Sequence, residues 1–251
     1  MALPSMSRAS SRLAPTPSHN RLLASLSHHD YERLRPHLAA LKLPYKYRLY
    51  EANGPIDCVY FIGTGVASLV TIMRNGDAAE VGTFGNEGII GLPVVFGDYQ
   101  APHSIYMQVS GAGFKMKANL FRQEMQRSAS LQTAMLRYAH VFFNQLAQTA
   151  ACNIFHTLEQ RCCRWLLMTH DRMRSNDFPL TQEFLAMMLG VRRGGVTIVA
   201  NGLKKSGLID YSRGHITILD HAGVVKQACE CYDITKREFD HLLGVLDKKL
   251  A

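Results

Sequence analysis

Between about residue 41 and 117, turn-forming residues recur roughly every ten positions: Asn53-Gly54, Gly63, Gly65, Asn75-Gly76, Gly85, Gly91, Gly97-Asp98, Gly111 and Gly113. From Ala118 they stop, and more than fifty residues follow with neither glycine nor proline. A chain broken so often holds short strands, and one left unbroken so long holds helices. The runs between the early turns are rich in β-branched and aromatic residues: Tyr45 to Tyr50, Cys58 to Ile62, Val66 to Met73, Val81 to Phe84 and Ser104 to Val109. Asn75-Gly76 between two of them is a strong hairpin signal. The expected class is α+β, with an antiparallel β-roll, jelly roll or sandwich followed by a helical half. With 251 residues and 47% apolar composition, the chain can bury a real core in one large or two modest domains.

In the helical half, Leu131, Met135, Tyr138 and Phe142 recur at the 4,3 spacing of a coiled-coil seam, and Leu136, Phe143, Leu146 and Ala150 form a second apolar face. A β-roll offers one surface to cover, so we expect one face to pack at home and the other on a second copy. The expected dimerisation helix spans 129–153, with its seam at Leu131, Met135, Tyr138 and Phe142. A core helix of a single large domain stays open as the alternative. Another helix is expected over Thr157 to Met173, and an amphipathic one over 220–251 with Asp220 as its N-cap.

Residues 181 to 201, TQEFLAMMLGVRRGGVTIVAN, have the spacing of a helix-turn-helix. Thr181 caps the first helix, Leu185, Ala186 and Leu189 line its inner face, and Gly190 takes the turn. Val191, Val196 and Val199 then seat the second helix. Gly207 to Tyr211, the turn Ser212-Arg213-Gly214, and His215 to Leu219 follow as a short hairpin. A helix pair with such a wing puts its second helix in the DNA major groove and the hairpin tip near phosphate.

These segments resemble the Crp–Fnr transcription regulators, and the resemblance covers about residues 21–220. LTQEFLAMMLGVRR and GLIDYSRGHITILD are similar to that family's DNA-binding domain, and GNEGIIGLP (Gly85 to Pro93) resembles the glycine-rich start of its effector cassette. The resemblance implies a cyclic-nucleotide-binding-like β-roll over 21–128, the dimerisation helix and a winged helix-turn-helix over 154–222; the Ser- and Pro-rich stretch 1–20 is expected to be a disordered tail, and 223–251 a C-terminal helical extension. The family's recognition helix carries an Arg, an acid beside it and a second Arg. Here Arg193 holds the first place, Gly194 replaces the acid and Ile198 the second Arg. Base reading is therefore expected from Arg192, Arg193 and Thr197, and phosphate contact from Thr181, Lys204, Lys205 and Arg213.

For the sensor, the candidate pocket residues are Gly85, Glu87, Gly91, His103 and Ser104. The family's cyclic-nucleotide binders hold the phosphate with an Arg followed by Ser or Thr, where this chain has Ala101-Pro102-His103-Ser104. No Lys or Arg occurs between Arg74 and Lys115, so cyclic AMP is not expected in the usual way and the effector is unknown. Oxygen-sensing members carry an N-terminal cysteine cluster, whereas the first cysteine here is Cys58. Cys229 and Cys231, with His221 and His241 nearby, could hold a metal or form a redox pair, but C-x-C alone lacks the usual spacing and no metal is assigned.

The net charge of +8 has an address. Residues 51–150 carry 6 basic and 7 acidic groups, while residues 161–226 carry 10 and 5. The expected partners are double-stranded DNA, a second copy of the chain and, by the resemblance, RNA polymerase, with a small-molecule effector open. The +6 of the first fifty residues has no motif behind it. No nucleophile motif, zinc-hydrolase helix or phosphate loop supports an enzyme. No apolar run approaches the roughly 18 to 20 residues of a membrane span, and the expected location is cytoplasmic. The competing reading is a small-molecule sensor module whose helix-turn-helix makes protein contacts.

Overall fold

The computed structural model describes residues 19–248 apart from Asp77, Arg174 and Arg213, with 245–248 as backbone only. Residues 1–18 of the expected tail thus lie outside the described residues. Its last member does not behave as tail: Asn20 is fully buried, donates to the Ile62 and Gly88 carbonyls (2.9 and 2.8 Å) and caps α1 (Arg21–Ala24) with its own oxygen.

After α2 (His28–Leu34) the chain builds an antiparallel sheet from β1 (Ala39–Leu43), β2 (Arg48–Tyr50), β3 (Cys58–Ile72), β4 (Ala78–Phe84) and β5 (Ser104–Lys117). The strand order is β1-β5-β3-β4, with β2 on β5. The hairpin expected at Asn75-Gly76 joins β3 to β4, with Gly76 at φ +88. Gly63 and Gly65, in contrast, do not end a strand: the two runs on either side are the single strand β3, whose register slips three times between Ile62 and Ala67. β5 crosses there with Gly111 and Gly113. A Cβ on Gly111 would lie 1.9 Å from the Thr64 carbonyl oxygen, and one on Gly113 2.3 Å from that of Phe61. The glycines allow a bulged, closely crossed pair of long strands, which bends the sheet into a roll.

A short helix, α3 (Leu92–Phe96), covers one end of the roll, and α4 (Ala118–Arg127) leads into α5 (Ala129–Phe155), capped by Ser128. Here the expected seam is corrected. Leu131, Met135, Tyr138 and Phe142 are buried within the chain's own β-roll core, and Phe142 stacks on Phe84 at 4.5 Å. They are unavailable to a partner because the roll needs that apolar face to close its own core. The second face divides: Leu146 packs against the β4 glycine Gly82, while Leu136 (47% exposed), Phe143 (66%) and Ile154 (75%) face outward with Ala147 and Ala150.

After α6 (Leu158–Met173) come β6 (Asp177–Pro179), α7 (Gln182–Leu189), α8 (Arg193–Lys205), β7 (Ile209–Ser212), β8 (His215–Ile218) and α9 (His221–Gln227). They enclose a second core around Leu166, Phe178, Leu185, Val196, Ile216 and Val224, under a three-stranded sheet ordered β6-β8-β7. Asp220 caps α9 through the Gly223 amide. The last helix, α10 (Cys231–Lys248), returns along α5 and places Phe239, Leu242 and Leu243 in the first core. No helix among the described residues is long and apolar enough to cross a membrane.

Candidate nucleic-acid interface

The site is built from α7, its turn and α8. The Thr181 hydroxyl oxygen accepts from the Phe184 amide (3.2 Å), and the same end of α7 is held by the wing, since the Gln182 amide donates to the Tyr211 hydroxyl (3.0 Å). Gly190 ends α7 at φ +63, ψ +38, with the Val191 amide returning to the Ala186 carbonyl (3.0 Å). Nothing lies within 4 Å of a Cβ placed on Gly190, so its backbone angle alone calls for glycine. Ala186 and Val196 are buried at the helix crossing, with Ala200 and Leu203 continuing the inward stripe, while Val199 sits half-buried at its edge. Arg161 of α6, which the motif does not include, donates to the last carbonyl of α7, that of Leu189.

The outward face of α8 carries Arg192, Arg193, Gly194, Ile198 (76% exposed), Asn201 and Lys205. Arg192 and Arg193 stand at the helix N-terminus, where amides and side chains of one sign point outward together. Thr197 is placed differently from the expectation. Its hydroxyl is half-buried and directed to the Gln182 side-chain oxygen (2.8 Å) and the Arg193 carbonyl (3.1 Å), so it braces α8 on α7. Asn201, four residues beyond Thr197, is not among the residues expected from the sequence. The signal for it is the i, i+4, i+7 spacing from Gly194, which puts Gly194, Ile198 and Asn201 on one stripe. Lys204 is also engaged, in an ion pair with Asp210 of β7 (2.6 Å) that ties the end of α8 to the wing. Lys205 and Thr181 are exposed, and Arg213 lies outside the described residues.

The two cores meet across polar and aromatic contacts. From α7, Phe184 meets Tyr45 edge-on at 5.8 Å, and the Tyr106 hydroxyl reaches the Met187 sulfur (3.7 Å). From α6, Trp165 donates its indole N–H to Glu80 of β4 (3.1 Å), which also accepts from Ser68 (2.6 Å). Burial pushes the Glu80 carboxyl up to about 7, against the pull of those donors and of Arg172 and Arg164.

Two of the candidate sensor residues, Gly85 and Glu87, lie at this junction. Glu87 is buried and paired with Arg172 of α6 (2.6 Å), whose Nη1 also donates to the Thr83 hydroxyl (2.6 Å). A Cβ on Gly85 would fall 2.4 Å from the Arg172 side chain, so the glycine makes room for the guanidinium stem. Gly91 takes φ +134 against Val59. Ser104 pairs with Val70 on β3, and His103 Nδ1 is 3.4 Å from Thr71. A cavity of about 340 Å³ does adjoin Glu87, between α6, α10 and the roll, and the cations lining it are paired: Arg172 with Glu87, and Arg21 and Lys236 with Asp240. The charge deficit of the β-roll is thus met by a cation from the other core.

A β-roll joined by a long helix to a winged helix-turn-helix defines a two-core protein. Residues 160–225 match the Crp-like helix-turn-helix domain, and over about three quarters of the chain (75% and 76%) the fold is that of Crp/Fnr transcriptional regulators. A CRP-family transcriptional regulator from Thermus thermophilus superposes with a TM-score of 0.64 at 15% identity, over 75% of this chain and 96% of its own. A CRP/FNR-family regulator from the same organism gives 0.56 at 20%, over 76% and 98%. The c-di-GMP-responsive global regulator CLP of Xanthomonas campestris gives 0.56 at 16%, over 76% and 98%. No curated protein sequence matches the chain.

Proposed function

We propose that the protein is a homodimeric, sequence-specific DNA-binding transcription regulator that reads a near-palindromic operator, with the β-roll as its sensor domain. The outward face of α8 carries the reading. Arg192 and Arg193 bring positive charge to a groove edge, the bare backbone at Gly194 permits close approach, Ile198 suits a thymine methyl and Asn201 an adenine edge. Arg192, Arg193, Ile198 and Asn201 are exposed and none of them serves the core. The outward stripe of α5, Leu136, Phe143, Ala147, Ala150 and Ile154, is the surface for the second copy. Two copies would set their α8 helices about one DNA turn, roughly 34 Å, apart.

The test is selection of genomic fragments by the purified protein, followed by binding to the recovered site at increasing salt. Enrichment of a near-palindrome, a steep loss of affinity from about 50 to 200 mM salt, and a loss of sequence preference in Arg193→Ala are expected. Recovery of no enriched site would overturn the reading in favour of a sensor whose helix-turn-helix contacts protein.

A further inference from the structure

Cysteines distant in sequence meet where α5 ends and α9 gives way to α10. Cys152 lies in the last turn of α5 and His156 is its C-cap, whose amide donates to the Cys152 carbonyl, while Cys229 lies in the joint before α10 and Cys231 begins that helix. Their sulfurs and one imidazole nitrogen all lie within 4.8 Å of one another. Cys152 Sγ is 3.5 Å from Cys229 Sγ, and Cys231 Sγ is 3.5 Å from His156 Nδ1. Ligands at about 2.0 to 2.3 Å from a tetrahedral zinc are spaced about 3.5 to 3.8 Å apart, so the pocket has the dimensions of such a site. We propose that Cys152, His156, Cys229 and Cys231 form a closed, four-ligand zinc site that fastens the C-terminal helices to the end of α5.

The surroundings supply what such a site requires. His156 turns Nδ1 to the sulfurs and Nε2 to the Glu230 carboxylate (3.2 Å); this holds the proton on Nε2 and frees the Nδ1 lone pair. The Gln148 amide donates to Cys231 Sγ (3.0 Å), and Cys231 begins an 18-residue helix whose N-terminus favours a thiolate. Three thiolates and a neutral imidazole leave a zinc site with one net negative charge. Arg161 and Arg164 face it with Nε atoms that have no hydrogen-bond partner among the described residues. His221 and His241, the partners suggested by sequence proximity, are not part of the cluster.

The full-length protein, purified without chelator, should contain one zinc per chain. Stripped under reducing conditions and refilled with cobalt, it should give the intense ligand-field spectrum of a tetrahedral thiolate site. Cys229→Ser and His156→Ala should lose the metal, while Cys58→Ser keeps it. Zinc should also protect Cys152, Cys229 and Cys231 of the wild-type protein from alkylation relative to the stripped form, a footprint that decides the matter even where a variant does not fold. Reduced protein that takes up neither zinc nor cobalt at micromolar concentration overturns the proposal. So does metal binding that survives Cys229→Ser, or an alkylation pattern that zinc leaves unchanged. A Cys152–Cys229 disulfide in protein that binds no metal once reduced would make the cluster a redox pair instead.

Discussion

Arg172 and Glu87 form a pair with both side chains 6% exposed, and Arg172 makes further bonds to Thr83. Removing one member of a buried ion pair leaves the other desolvated and uncompensated, at a cost of about 3 to 5 kcal/mol. Arg172→Met should therefore lower the unfolding free energy by that order in urea titrations. Arg172→Met with Glu87→Leu should recover most of the loss, and a single variant within about 0.5 kcal/mol of wild type would deny the pair this role. Gly190 gives a smaller, cleaner case. Its φ of +63 with open space around it makes Gly190→Ala a backbone penalty of about 1 kcal/mol, and Gly190→Asn should cost less, as read from thermal midpoints. The two cases also mark what a sequence shows. Thr181, Ala186, Gly190 and Val196 are set by local chemistry within one supersecondary unit, so their places could be read from spacing. Arg172 lies 85 residues from Glu87 and is one arginine among many on helices, and nothing in its neighbours marks it as the cation of the glycine segment.

Helix α5 shows the same limit at the scale of an element. Its existence followed from the absence of glycine and proline, but its apolar residues lie in two registers a single position apart, and spacing cannot say which register the β-roll takes. Packing decides it: Gly88 would clash with Tyr138 if it carried a Cβ, and Phe84 stacks on Phe142, so the roll is shaped to that face. Adjacent phenylalanines should consequently behave oppositely. Phe142→Glu puts an unpaired carboxylate into the core and should unfold the first domain, as loss of near-ultraviolet circular dichroism. Phe143→Glu, on a residue 66% exposed, should leave the fold intact and shift sedimentation from dimer to monomer. Unchanged sedimentation would remove the α5 stripe as the dimer surface. The glycines of β3 and β5 mislead for a related reason. A glycine that permits a turn and one that permits two strands to cross closely are the same letter, and only the partner strand distinguishes them.

Across the whole molecule, the second core is docked on the first through α6 and α7, and that docking buries Glu80 under Trp165. An effector that shifts the helix-turn-helix relative to the roll would have to act on this junction, because a ligand moves an equilibrium only through contacts that differ between its states. The junction carries its own proton linkage. Glu80 titrates at about 7 when docked, against an ordinary 4.5 once exposed, so the docked form binds the extra proton between these values. Docking should thus be tightest below about pH 4.5 to 5 as far as Glu80 is concerned, weaken as pH rises through about 7, and level off above about 8. At about 1.4 kcal/mol per pH unit the span is at most roughly 3.5 kcal/mol. Trp165 is the single tryptophan of the chain and touches the titrating group, so its fluorescence reports the event directly. The expected result is an emission change with a midpoint near pH 7, and greater urea stability at pH 6 than at pH 8. Glu80→Gln should abolish the emission change and flatten the stability difference by the share that Glu80 contributes. A Trp165 signal that titrates identically in Glu80→Gln would assign the pH response to another group and leave Glu80 as a passive member of the junction.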